Sequence, residues 1–196
     1  MNQNTKTLKK VQKLTLIALL TALVVILQIL GGFIRIGTFS VSLVLVPIVL
    51  GAALLGPWAG GWLGLVFGAV VLISGDAAWF MGMNLPGTVI TVAGLVSGAV
   101  YRLIEKKNRT AAMFTSAALC PIINTALFFC GCYLFFFEGL TSAAASGGQT
   151  LLAYIIIVLI GGNFIFELVF NLVLAPVILR LIDVGKKMLG QVPKND

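Results

Sequence analysis

Six long apolar stretches, separated by short Gly-, Pro- or charge-bearing breaks, fill most of this chain. The first runs from about 14 to 30 and the second from about 41 to 55. The third covers about 59–73, the fourth 87–104, the fifth 111–137 and the sixth 151–182. Stretches of this length and hydropathy predict membrane-spanning helices. The breaks have distinct chemistry. Gly56-Pro57-Trp58-Ala59-Gly60 predicts a tight connection, because Gly and Pro punctuate an otherwise unbroken apolar run. Glu105-Lys106-Lys107-Asn108-Arg109 is the most hydrophilic hinge, and Glu138 to Thr150 reads as a small-residue loop. The fold class that follows is an all-α integral membrane protein, a single six-helix bundle spanning residues 1–196.

Composition strengthens that class. The chain is 60% hydrophobic and only 10% charged, with a mean hydropathy of +1.11. A soluble domain of this size needs more charge to cover its surface. The length accommodates one compact bundle and no separate soluble catalytic domain. The basic N-terminus leads into an apolar run longer than the core of a signal peptide, so a retained first helix is expected.

Charge placement gives the orientation. Lys6, Lys9, Lys10 and Lys13 precede the first span; Arg102, Lys106, Lys107 and Arg109 flank the fourth-to-fifth hinge; Arg180, Lys186, Lys187 and Lys194 follow the sixth. Six spans put all three groups on one side, and the positive-inside rule makes it the cytoplasmic side. The opposite side keeps one cation, Arg35, with Asp76 and Glu138, so the asymmetry is twelve to one. The net charge of +7 is thereby accounted for by topology rather than by nucleic acid. Arg35 either meets an anionic ligand, pairs with an outer acid, or is a solvated loop charge.

The polar residues inside the spans are the candidates for chemistry. Asn163, Glu167 and Asn171 lie four residues apart and share one helix face. An ionisable group at membrane depth is expensive and marks a functional site by default; Glu167 either binds a ligand, stays protonated as a buried structural group, or pairs with a cation. At a rise of ~1.5 Å per residue, Asn163 lies roughly 18 Å into the sixth span and Glu167 roughly 24 Å. Asn124 lies roughly 20 Å in from the other end of the fifth span. Two antiparallel neighbours therefore bring amides to one level, where they either bind a polar solute or join helices. Asn171, a turn further in, suits helix packing. Asp76, Trp79, Asn84 and Tyr133 belong to the outer loops and the outer end of the fifth span. They cap a pocket or form an aromatic belt. Trp58 and Trp62, at the inner connection, read as belt residues.

Several chemistries have no support. The chain has no histidine, and Cys120, Cys130 and Cys132 lack zinc or disulfide spacing. They read as small hydrophobes in a helix. There is no P-loop and no metalloprotease or serine-hydrolase constellation, so no enzyme, metal or cofactor is expected. Ala18-x-x-x-Ala22 in the first span, and Gly64 with Gly68 in the glycine-rich third, give small-xxx-small faces for close helix approach.

Taken in order over the whole chain, these features resemble an S component of an energy-coupling factor (ECF) transporter. The resemblance is carried by Ala18-x-x-x-Ala22, by Gly56-Pro57-Trp58-Ala59-Gly60, and by Lys106-Lys107-Asn108-Arg109 followed by Asn124-Thr-Ala-Leu-Phe-Phe. It ends with Asn163-Phe-Ile-Phe-Glu167-Leu-Val-Phe-Asn171, Pro176 and Arg180. It implies a subunit in a prokaryotic plasma membrane that captures a water-soluble vitamin or precursor from outside. It implies docking through Ala18 and Ala22 on a transmembrane T component, driven by two cytosolic ATPases, and toppling of the bundle to release its substrate inside. Glu167 stands where riboflavin-binding relatives tend to carry a basic residue, and the pattern is nearer the group that includes pantothenate and pyrimidine-precursor carriers. Two other classes remain open: a stand-alone secondary carrier with Glu167 as its coupling site, and a membrane scaffold whose polar ladder only fixes packing.

Overall fold

A computed structural model describes residues 3–33, 35–36, 39–40, 43–74, 93–135, 137–157 and 164–190. The described residues are almost entirely helical. Helix α1 is Gln3–Phe33, α2 Leu45–Leu55, α3 Pro57–Ser74, α4 Ala93–Glu105 and α5 Arg109–Phe135. Then follow α6 (Phe137–Ser146), a short α7 (Leu151–Tyr154) and α8 (Ile165–Met188). Between α1 and α2, two two-residue strands, β1 (Arg35–Ile36) and β2 (Phe39–Ser40), pair antiparallel with Arg35 opposite Ser40.

Among the described residues, three stretches are single helices long and apolar enough to cross a membrane: Leu8–Gly31, Arg109–Leu127 and Ile165–Met188. Helices α2 and α3 are apolar but shorter. The tight connection expected at Gly56–Gly60 narrows to one residue. Gly56 alone leaves the helical region, at φ 111°, and α3 already begins at Pro57. Proline suits a first helical position because its missing N–H has no intrahelical acceptor there. The Arg102 guanidinium fills the space where a side chain on Gly56 would stand, and its Nη2 donates to the Leu55 carbonyl at 3.3 Å. A cation thereby closes the C-terminal end of α2.

The loop expected from Glu138 to Thr150 is corrected by the structure: Phe137–Ser146 is a helix. Glu138 sits in its first turn, where a carboxylate complements the helix dipole. The alanines at 143–145 have the highest helix propensity of any residue. Gly148, at φ 64°, ends the element, and Thr150 caps the next one by accepting from the Ala153 N–H at 3.3 Å. The two helical segments meet at 92°. At the other end of the sixth stretch, α8 continues to Met188, beyond the expected limit at 182.

Helix α4 packs between α3 and α5, α8 lies on α5 and α2, and α1 covers α2 and α3. Lipid tails are as apolar as leucine, so contact between these helices relies on close packing rather than on the hydrophobic effect. Glycine supplies that closeness. A Cβ on Gly60 would lie 2.3 Å from the Gly94 carbonyl oxygen, and one on Gly98 would lie 2.8 Å from the Ala52 Cβ. Where backbones approach this closely, Ser116 on α5 donates to the Ser97 carbonyl of α4 at 2.9 Å. Between α1 and α3, Trp62 Nε1 donates to Thr21 Oγ1 at 3.1 Å. Trp62 is therefore tied to a neighbouring helix as well as half-exposed.

Two ion pairs close the end of the bundle that carries the α4–α5 hinge. Arg109 pairs with Asp183, and Lys186 pairs with Glu105. Arg109 Nη2 also donates to the Leu179 carbonyl at 3.4 Å. Asn108 caps α5, its Oδ1 accepting from the Ala111 N–H at 2.8 Å. The hinge and the end of α8 are thus joined across the chain.

Two outcomes test this packing. Gly60→Ala should destabilise the bundle by about 1–3 kcal/mol, read by thermal denaturation in detergent. Gly61→Ala should have the smaller effect, because its Cβ would meet only the mobile Leu95 side chain at 3.2 Å. The side chains of Lys186 and Glu105 are 13% and 20% exposed. Lys186→Ala and Glu105→Ala should each cost about 2 kcal/mol, between the limits for exposed and buried pairs. The double variant should lose little more than either single one, as expected of a coupled pair.

Candidate functional site

Among the described residues the one buried carboxylate is Glu167, 1% exposed in the first turn of α8. An acid in a first turn gains from the helix dipole. Asn171, one turn on, is fully buried, and its Nδ2 donates to the Glu167 carbonyl at 2.9 Å. The other rung of the expected ladder, Asn163, lies outside the described residues.

The surroundings come from two other helices. Cys120 on α5 is buried within hydrogen-bond reach of Ser97 on α4 and within electrostatic reach of Glu167. Ser97 and Ser116 are fully buried, and the Ser97 hydroxyl donates to the Gly94 carbonyl at 3.3 Å. Three helices therefore converge on a buried set made of Ser97, Ser116, Cys120, Glu167 and Asn171. Asn124 stands one turn from Cys120 on α5 and is half-buried. Residues four apart on a helix share a face, so Asn124 continues this polar strip. Such a set offers both donors and acceptors in low-dielectric surroundings, where an oriented polar solute binds strongly.

A family model for the substrate-specific component of ECF transporters matches residues 12–179. The chain belongs to that family. The matched span runs from the first turns of α1 to the second half of α8 and takes in every residue of the buried polar set. No curated protein matches the chain. Family membership and the apolar helices make it a multi-pass membrane protein and a transport subunit rather than an enzyme.

The remaining candidates of this S component scatter. Tyr133 is 53% exposed near the end of α5, stacked on Phe129 at a centroid distance of 6.3 Å and edge-on to Phe137 at 5.4 Å. By helical rise it stands roughly 14 Å along α5 from Asn124. Arg35 lies in β1, paired through its backbone with β2. Asp76, Trp79 and Asn84 lie outside the described residues. Ala18 and Ala22 share an exposed face of α1, while Leu20 and Val24 face the bundle.

Sequence inspection passed over Ser97 and Ser116, and gave Cys120 only a packing role. Serine is too common in membrane helices to stand out singly. The signal lay in spacing: Ser116, Cys120 and Asn124 recur every four residues on α5, as Glu167 and Asn171 do on α8.

Proposed function

We propose that this S component captures a water-soluble vitamin or vitamin precursor from outside and delivers it by docking on a transmembrane T component, driven by two cytosolic ATPases. The observation that carries this is the buried polar set around Glu167 in a bundle whose buried side chains are mostly apolar, in a chain matched to the substrate-specific family over most of its length. The bundle in this reading has six spans with both termini in the cytoplasm of a prokaryotic cell.

Asn124, Asn163 and Glu167 form the polar floor of the site. Arg35, Asp76, Trp79, Asn84 and Tyr133 close it from the outer side. Glu167 sets the kind of substrate: a carboxylate at this depth favours a ligand that presents donors or a cationic group, and disfavours a bare anion. Arg35 then meets whatever negative group the ligand carries at its outer end. The exposed Ala18 and Ala22 support a docking role for α1, since small residues let a partner helix approach closely.

Purified protein should bind one vitamin tightly without ATP, and mass spectrometry of the co-purified small molecule should identify it. Asn124→Ala and Asn163→Ala should each weaken binding about tenfold, the worth of one hydrogen bond to a buried ligand. If both variants bind like the wild type, the floor lies elsewhere. Uptake into vesicles driven by a proton or sodium gradient without any ATPase would favour a secondary carrier using Glu167. Absence of binding across a vitamin panel would favour a scaffold. Separately, Ala18→Trp or Ala22→Trp should abolish assembly with the T component while leaving vitamin binding intact. Loss of both properties together would indicate misfolding and remove the docking assignment.

A further inference from the structure

The charge balance at one end of the bundle points to a partner. The α4–α5 hinge meets the end of α8 through the two ion pairs. The α2–α3 turn joins the same end through Arg102 at Gly56. The start of α1 joins it as well, since a Cβ on Gly190 would lie 3.8 Å from Lys9 Nζ. All three basic segments of the sequence therefore converge here.

Acids are scarce at this end. Among the described residues it holds Glu105 and Asp183, and these are engaged by Lys186 and Arg109. That leaves Lys9, Lys10, Lys13, Arg102, Lys106, Lys107, Arg180 and Lys187 with no carboxylate partner among the described residues. Seven of these eight side chains are exposed, and Lys9 is half-exposed. They are spread over α1, α4, the hinge and α8 rather than carried by one helix.

Their height is fixed by the apolar helices. The membrane-length segments Leu8–Gly31, Arg109–Leu127 and Ile165–Met188 all have one terminus at this end. Trp58, 84% exposed, stands two residues from Gly56 and its Arg102 contact. An indole with that exposure belongs at the boundary between acyl chains and water. Long cationic side chains at the same level snorkel toward phosphates. An acidic protein partner would fit the charge but not the exposed indole, nor the spread of cations over four separate elements.

We propose that this end is ringed by anionic phospholipid headgroups, held by these uncompensated lysines and arginines. The ring rests on the membrane location of the family and not on the vitamin reading, so the two fail independently. The probe is the protein in phosphatidylcholine vesicles with and without a minority of phosphatidylglycerol. Native mass spectrometry of the released protein should show retained phosphatidylglycerol in preference to phosphatidylcholine, and the preference should fall with salt. Replacing Lys10, Lys13, Lys106, Lys107 and Lys187 together by Gln should reduce the preference on the order of tenfold or more. Thermal melting in pure phosphatidylcholine reports whether that variant folds. For the wild type alone, phosphatidylglycerol should raise the melting temperature where soluble glycerol phosphate does not. Equal retention of the two lipids by the wild type overturns the proposal. So does equal stabilisation by glycerol phosphate, which would make this a free-phosphate site. An undiminished preference in the folded variant overturns it too and assigns the cations to water or to an acidic protein.

Discussion

The approach of α3 to α4 at Gly60 and Gly94 is the constraint on which the rest of the bundle depends. Inside a bilayer the apolar side chains gain nothing by leaving lipid for one another, so contact area at short range has to hold the helices. With the Gly60 Cβ position 2.3 Å from the Gly94 carbonyl oxygen, no other residue fits without moving a backbone. That contact places α4 where Gly98 can lie on Ala52 and Pro57. It also sets the height of Ser97, through which α4 meets Ser116 on α5. The polar set around Glu167 is thus positioned by backbones that touch, and its precision is inherited from glycines that take no part in its chemistry.

Much of this was legible from the chain alone. The apolar runs marked where the three described membrane-length helices lie, because a membrane span is a long uniform signal that needs no tertiary information. Gly56 and Pro57 announced the turn between α2 and α3 for local steric reasons. The stretch 138–150 was not legible in the same way. Its glycines and serines suggested a loop, yet Glu138, the alanines and the Thr150 cap are the local chemistry of helix ends and helix interiors. The whole polar site was harder still. Glu167 and Asn171 stood out because charge and amides are rare at that depth, whereas Ser97 and Cys120 acquire meaning only when α4, α5 and α8 are brought together. Docking, substrate and partners depend on molecules the chain does not contain. The family match supports them in kind but not in detail.

The two ends of the bundle do opposite electrostatic work. Around Glu167 a carboxyl group is buried among hydroxyls, a thiol and an amide, where low-dielectric surroundings strengthen each polar interaction. At the hinge the charges are plentiful and face the surface, where each is weak and screened unless it is paired or near lipid phosphate.

The alternating signs of the hinge pairs carry one more consequence. Asp183 and Lys186 are three residues apart on α8, opposite Arg109 and Glu105 respectively. If α8 slid along its axis by those three residues, roughly 4.5 Å, Asp183 would face Glu105, or Lys186 would face Arg109 for a slide the other way. Either displacement sets like charges against each other. The pairs therefore act as a vernier: they leave α8 free to tilt with its neighbours as a unit, while fixing its register to a single notch.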